Sequence, residues 1–116
     1  MYDVTCVAKR YFPVKLTTED DGGEIHSTVV EVEPPRIKTM RELVDVALRS
    51  TTAIEKNTVT ENVVAELRDS IKKLLSKNKA KYRVPDEYVE AMDLDQMNGL
   101  LNAFFDWMGK VKAEKN

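Results

Sequence analysis

The spacing of apolar residues changes at the Pro34-Pro35 pair, and this change constrains the fold more than any other feature of the chain. Before the pair, apolar and polar residues alternate, which is typical of half-buried strands. After it, apolar residues recur every three or four positions, which indicates amphipathic helices. We therefore predict a single α+β domain over residues 1–116, β-rich over 1–33 and helical over 38–113.

The N-terminal part predicts a β-hairpin or a small antiparallel meander. Glu19 to Gly23, with the sequence EDDGG, is a turn signal, and the β-branched run Ile25–Val32 predicts the returning strand. Pro13 favours an edge strand or a bend, because proline cannot donate to a ladder. Since two strands alone are barely stable in water, we expect this sheet to lie on the helices. The apolar residues of this alternation occupy even-numbered positions before the turn: Tyr2, Val4, Cys6, Ala8, Phe12, Val14 and Leu16.

The helical part predicts a bundle of three to four helices. Thr39 and Glu42 form a capping-box pattern that predicts the start of the first helix, and a polar break over 50–57 predicts its end. Thr60 is the predicted N-cap of the second helix. Val84-Pro85 predicts a short helix over 86–91.

The last helix carries the widest apolar face of the chain. Asp93 and Gln96 form a capping-box pattern at its start, and apolar residues follow from Leu94 to Val111 over an arc of roughly 160°, where a surface helix needs about 100°. Aromatic and methionine side chains are favoured in protein interfaces. We therefore predict a partner-binding face, although burial of the whole arc in a helical core is an equal alternative. The predicted partner-binding residues are Leu100, Leu101, Phe104, Phe105, Trp107 and Met108.

Composition excludes several classes of function. The formal net charge is −2, whereas dedicated nucleic-acid binders are usually basic, so nucleic acid is an unlikely partner. No apolar run approaches the ~18 residues of a membrane span, and the N-terminus lacks a signal-peptide core. The single Cys6 cannot form an intrachain disulfide and is predicted to be a small buried hydrophobic residue. Together these features predict a cytoplasmic protein.

Residues for catalysis are few. The chain has one histidine and one cysteine, and it lacks a glycine-rich phosphate loop and an H-E-x-x-H pair. His26 follows Asp20, Asp21 and Glu24, but a hairpin turn is expected to be acidic and polar. We therefore predict no catalytic residues, no metal site, no cofactor and no enzymatic activity.

A basic cluster offers an alternative function. Lysines of this kind could contact phosphates in a small DNA-binding or regulatory module built on the lysine-rich second helix. A solvated helix face has the same composition. The neighbouring acidic segment 86–95 also permits self-association, because opposite charges steer protein partners. The cluster consists of Lys72, Lys73, Lys77, Lys79, Lys81 and Arg83.

Two local motifs resemble those of tail assembly chaperones of long-tailed bacteriophages and prophages. The first is Pro34-Pro35-Arg36-Ile37-Lys38-Thr39-Met40-Arg41-Glu42, which is similar to the start of the helical region in that family. The second is the D-L-D-Q-M opening of the last helix, Asp93 to Met97. The order of elements from Val32 onwards is similar as well.

The resemblance implies a non-enzymatic role in building phage tails. Such chaperones coat the tape-measure protein, recruit tail-tube subunits and are absent from the mature virion. It also implies that the last helix binds the tape-measure protein and that Pro34, Pro35 and Arg36 form a rigid hinge between sheet and helices. A frameshifted longer form is a further implication. A structural head or tail component retained in the particle is the remaining alternative.

Overall fold

The computed structural model describes residues 1–114, with side chains described up to residue 109. An antiparallel hairpin of β1 (Phe12–Glu19) and β2 (Ile25–Val32) precedes four helices, which confirms the predicted α+β fold. The helices are α1 (Ile37–Glu55), α2 (Glu61–Ser76), α3 (Asp86–Glu90) and α4 (Leu94–Glu114). No helix within residues 1–114 has both the length and the hydrophobicity needed to cross a membrane.

The hairpin forms at the predicted turn. Gly23 adopts a φ of 82°, which glycine tolerates because it has no Cβ. The strands pair in register from Phe12 with Val32 to Glu19 with Ile25. Val14 and Val30, which are cross-strand partners, point towards the helices and are buried. The opposite face of the hairpin is exposed.

The segment before β1 differs from the prediction. Residues 1–10 do not continue the strand but lie exposed, with a short 3-10 turn at Val4–Cys6 capped by the Asp3 carboxylate. Alternating residue types form a strand only where a neighbouring strand supplies hydrogen bonds, and β2 ends at Val32, opposite Phe12, just before the two prolines. Cys6 is exposed, so the prediction that it is buried is wrong.

Two helix boundaries were predicted correctly from capping residues. The Thr60 hydroxyl accepts a hydrogen bond from the Val63 N–H at 3.3 Å and caps α2. Asp93 and Gln96 form the reciprocal capping box of α4: the Gln96 N–H donates to the Asp93 carboxylate at 2.7 Å, and the Asp93 N–H donates to the Gln96 side chain at 2.8 Å.

The bounds of α1 differ from the prediction. The helix starts at Ile37, so Thr39 lies in its first turn and does not cap it. It also continues through the predicted polar break as far as Glu55, because buried Ser50 and Ala53 face the interior. The Ser50 hydroxyl donates to the Asn98 side chain at 3.2 Å, which joins α1 to α4. Asn57, with a φ of 56°, ends the helix in the left-handed conformation.

One hydrophobic core lies between the inner face of the hairpin and the helices. Apolar residues of α2 form its centre, because this helix contacts α1, α3, α4 and β2. Among the described side chains, those that are fully buried include Leu16, Val32, Leu67, Ile71, Leu75, Leu101 and Phe104.

A candidate partner-binding surface

The predicted partner-binding residues of α4 divide into two groups. Leu101 and Phe104 have 0 % exposure and lie in the core, so neither can contact a partner. Their inclusion in a binding face is therefore corrected: both side chains pack into the core that α4 shares with α1 and α2, so the middle of the apolar arc is used by the fold itself. The remaining four, Leu100, Phe105, Trp107 and Met108, are only partly buried. Leu100 lies beside Val14 and Leu16 of β1, apart from the other three. Val111, at the end of the arc, lies outside the described side chains.

A cluster of aromatic rings joins the second half of α4 to the start of β1. Phe12 packs edge-on against Phe104 with ring centroids 5.6 Å apart, and Trp107 stacks on Phe104 at 5.8 Å. The Arg10 guanidinium lies over the Trp107 ring, 5.3 Å from its centroid. These contacts hold the segment before β1 close to the end of α4, although the sequence before Phe12 forms no strand.

The space between this segment and α4 is an open apolar groove of about 660 Å³. One wall is formed by residues 7–10 and the other by residues 105–109 of α4, and Pro34 and Met40 complete the lining. Its lining residues are Val7, Ala8, Lys9, Arg10, Pro34, Met40, Phe105, Trp107, Met108 and Gly109.

The apolar surface continues from this groove onto α1. Met40 and Met108 line both the first groove and a second depression that is bordered by Pro35, Ile37 and Val44. Ile37 is 73 % exposed, and Leu48, further along the same helix, is 62 % exposed. Ile37, Val44 and Leu48 are spaced by seven and four residues, so they form one stripe along α1. We refer to the groove, the depression and this stripe together as the α1/α4 surface.

Sequence reasoning missed half of this surface. The helical spacing of apolar residues after Pro35 predicts amphipathic helices, but the pattern does not say which of two adjacent apolar positions faces the core. In the fold, Leu43 is buried and its neighbour Val44 is exposed. Ala8 belongs to the alternation that predicts a strand, whereas in the fold both Val7 and Ala8 line the groove beside α4.

The proline segment forms a boundary of the α1/α4 surface. Pro34 and Pro35 are both half-buried, and all peptide bonds of the described chain are trans. Arg36 occupies the N-cap position of α1 without a capping hydrogen bond from its side chain. A rigid connection of this kind fixes the angle at which α1 leaves the sheet, because proline restricts both its own φ and the residue before it. The hinge role stays a prediction.

The acidic hairpin turn is organised by hydrogen bonds within the chain. Asp20 accepts hydrogen bonds from the Gly22 and Glu24 N–H groups, both at 2.9 Å, and its second oxygen lies 2.9 Å from His26 Nε2. The hydrogen bond from His26, and after it that from Glu24, lower the pKa of Asp20. Ligand atoms of Asp20, Glu24 and His26 lie within 4.8 Å of one another, but all three are exposed and their proximity is explained by the turn.

The basic cluster is divided between α2 and the connector that follows it. Lys72 forms an ion pair with Asp86, which lowers the pKa of that carboxyl group. The Lys79 Nζ atom lies 3.8 Å from Glu31 Oε2 and over the ring of Tyr11. Two of the six basic residues therefore have carboxylate partners within the chain, and DNA binding stays an alternative prediction.

Comparisons of the chain with protein-family models, curated proteins and solved structures found no match. The function must therefore be inferred from the residues and the surface that they form.

Proposed function

We propose that this protein is a non-enzymatic tail assembly chaperone that binds an amphipathic helical segment of a phage tape-measure protein on its α1/α4 surface and recruits tail-tube subunits. It acts in the host cytoplasm and is absent from the mature virion. The observation that carries this proposal is the apolar surface that runs from exposed residues of α1 to the partly buried residues 105–108 of α4, with Met40 and Met108 shared by its two parts. The motifs at Pro34–Glu42 and Asp93–Met97 support the choice of family.

The shape and chemistry of the α1/α4 surface suit a helix as the bound partner. An exposed stripe on α1 and the adjoining groove beside α4 can receive the apolar side of an amphipathic helix, whose apolar residues recur every three or four positions. Met40 and Met108 lie where the groove and the depression meet. Methionine side chains adapt to different apolar partners, which suits a chaperone that must cover a long and varied sequence.

The proposal is tested by measuring binding to helical tape-measure segments encoded close to this gene. Trp107 is the only tryptophan and lines the groove, so its fluorescence emission reports an occupied groove directly. We expect an emission shift towards shorter wavelength on binding, and isothermal titration calorimetry gives the affinity independently.

A matched pair of variants on α1 locates the binding surface. Val44 and Ile54 are 37 % and 38 % exposed, but only Val44 lines the α1/α4 surface. We expect Val44→Asp to weaken binding by about 2 kcal/mol, which is typical of an interface hot spot, and Ile54→Asp to leave it unchanged. Equal effects of the two substitutions, or no binding of any tape-measure segment, would refute the proposed function.

A further inference from the structure

One edge of the hairpin is only partly covered. At its C-terminal end, β2 is joined to the connector after α2 by a single antiparallel bridge between Val32 and Asn78. The Lys79 N–H donates to the Glu31 carbonyl and the Glu33 N–H donates to the Lys77 carbonyl, both at 2.9 Å. Residues 77–79 therefore act as a very short third strand that ends beside Glu31.

The rest of this edge is open. At Glu31 and Glu33 the backbone N–H and C=O groups point away from β1. Because every second residue of an antiparallel strand points these groups to the same side, those of Ile25, Ser27 and Val29 also point away from β1. The sheet of the described chain contains only β1 and β2, so these groups have no third strand beside them. The region from Ile25 to Val29 is therefore a template for a strand from another chain.

The two edges of the hairpin differ in their protection. On β1 the outward positions include Pro13, which has no N–H, and Lys15, and both residue types block strand addition. The open part of β2, with the sequence IHSTV, contains neither. Its Ile25 and Val29 side chains are 67 % and 63 % exposed on the outer face of the hairpin. Apolar residues of this size on an unprotected edge indicate that the edge is covered by protein.

Charge is distributed with opposite sign at the two ends of the open edge. The turn beyond Ile25 carries exposed carboxylates, among them Asp21 and Glu24. The connector that follows the bridge carries Lys79, Lys81 and Arg83, which line a depression together with Val29 and Glu31. A strand that pairs with this edge in the antiparallel direction begins at the basic end of the edge.

We propose that the open edge of β2 binds the same edge of a second copy, giving a two-fold symmetric dimer with one four-stranded sheet. With the axis at Ser27, Ile25 of each copy lies opposite Val29 of the other, and the outward N–H and C=O groups pair. The acidic turn of each copy then meets the basic connector of the other, so a single contact is used twice, as an isologous interface requires. An interface of this size is small, so we expect a weak and concentration-dependent dimer.

The dimer does not depend on the proposed chaperone function, because the open edge lies on the hairpin and the α1/α4 surface lies elsewhere. Val44→Asp is expected to leave dimerisation unchanged, so failure of one proposal is distinguishable from failure of the other. The measurement is sedimentation velocity across a wide concentration range at low salt, with a reductant present because Cys6 is exposed.

Ser27→Pro tests the backbone pairing. It removes an N–H that faces away from β1, so the hairpin ladder is retained, as it already is at Pro13. We expect this variant to keep its circular dichroism spectrum and to remain monomeric. Ser27→Ala is the matched control, because it loses only the hydroxyl contact to Thr17 and keeps the N–H; it is expected to dimerise like the unmodified chain.

A charge exchange tests the arrangement of the two copies. Asp21→Lys with Glu24→Lys gives a chain that is basic at both ends of the edge, and Lys81→Glu with Arg83→Glu gives one that is acidic at both ends. Each variant alone is expected to dimerise about tenfold more weakly or worse, and an equimolar mixture is expected to recover dimerisation.

Three results would overturn the proposed dimer. These are a chain that stays monomeric at every concentration, a Ser27→Pro variant that dimerises as strongly as Ser27→Ala, and charge variants that gain nothing on mixing.

Discussion

Phe104 and Phe105 are adjacent in sequence but are expected to respond very differently to truncation. Phe104 has 0 % exposure and its ring contacts those of Phe12, Phe105 and Trp107, whereas Phe105 is only partly buried and lies beside the groove. Removing a fully buried phenylalanine costs about 3–5 kcal/mol, because the lost transfer free energy is added to the cost of the cavity. Half-burial of the same side chain is worth roughly 1 kcal/mol.

Phe104→Ala is therefore expected to remove a large part of a total stability that, for a domain, is about 5–15 kcal/mol. At roughly 4 °C per kcal/mol for a chain of this size, the midpoint of thermal unfolding should fall by about 12–20 °C. Phe105→Ala should lower the midpoint by only about 4 °C by the same conversion. Thermal denaturation measures the midpoint and urea denaturation measures the free energy of unfolding, both at low protein concentration and followed by circular dichroism and by Trp107 fluorescence.

The comparison also decides between core and interface for α4. If Phe104→Ala and Phe105→Ala reduce the free energy of unfolding equally, the assignment of Phe104 to the core is wrong. Both variants must give the same dependence of unfolding free energy on urea concentration, because a changed slope would mean that the unfolded or native state had altered.

Three further predictions concern local hydrogen bonds. Asn78→Ala should lower the free energy of unfolding, measured by urea denaturation, by about 2–3 kcal/mol, because the buried Asn78 side chain donates to the Leu75 and Tyr82 carbonyls and accepts from the Tyr82 N–H. A decrease below about 0.5 kcal/mol would contradict this reasoning. Asp93→Ala should lower the free energy of unfolding by about 1 kcal/mol because the capping box is lost, whereas Asp93→Asn, which can still cap the helix, should retain most of that stability. His26→Ala should raise the pKa of Asp20 towards the ordinary 3.8, as measured by NMR titration. Because the folded-state pKa is lowered, the ionised Asp20 stabilises the turn at pH values above 3.8, and this stabilisation is lost as the pH falls through the lowered pKa. An unchanged Asp20 titration in the variant would exclude the His26 hydrogen bond as the cause of the lowered pKa.

Local signals in the sequence were sufficient for several elements. The capping residues Thr60 and Asp93 fixed two helix starts, because a side chain that bonds its own neighbouring N–H groups acts independently of the rest of the fold. The acidic, glycine-containing turn and the β-branched run after it predicted the hairpin, because both depend on conformational preferences of a few adjacent residues.

Signals that depend on distant partners were insufficient. Alternation over residues 2–10 predicts a strand, but neither strand of the described chain pairs with these residues, and the segment lies against α4 through Arg10 and Trp107. The polar residues after Leu48 predicted an end to α1, but the helix continues because Ser50 is buried against Asn98 of α4. Each error arose where contacts between elements outweigh local preference.

The sequence by itself determined that apolar side chains on the helices exceed what a narrow buried stripe requires, because residue type and helical period are local properties. Only the tertiary structure decided which of those side chains remain accessible. Leu101 and Phe104 are enclosed because α4 packs against α1 and α2 over the core, while Ile37 and Val44 stay exposed because no element of the described chain packs over them. Burial depends on which elements meet in space, and neighbours in sequence do not contain that information.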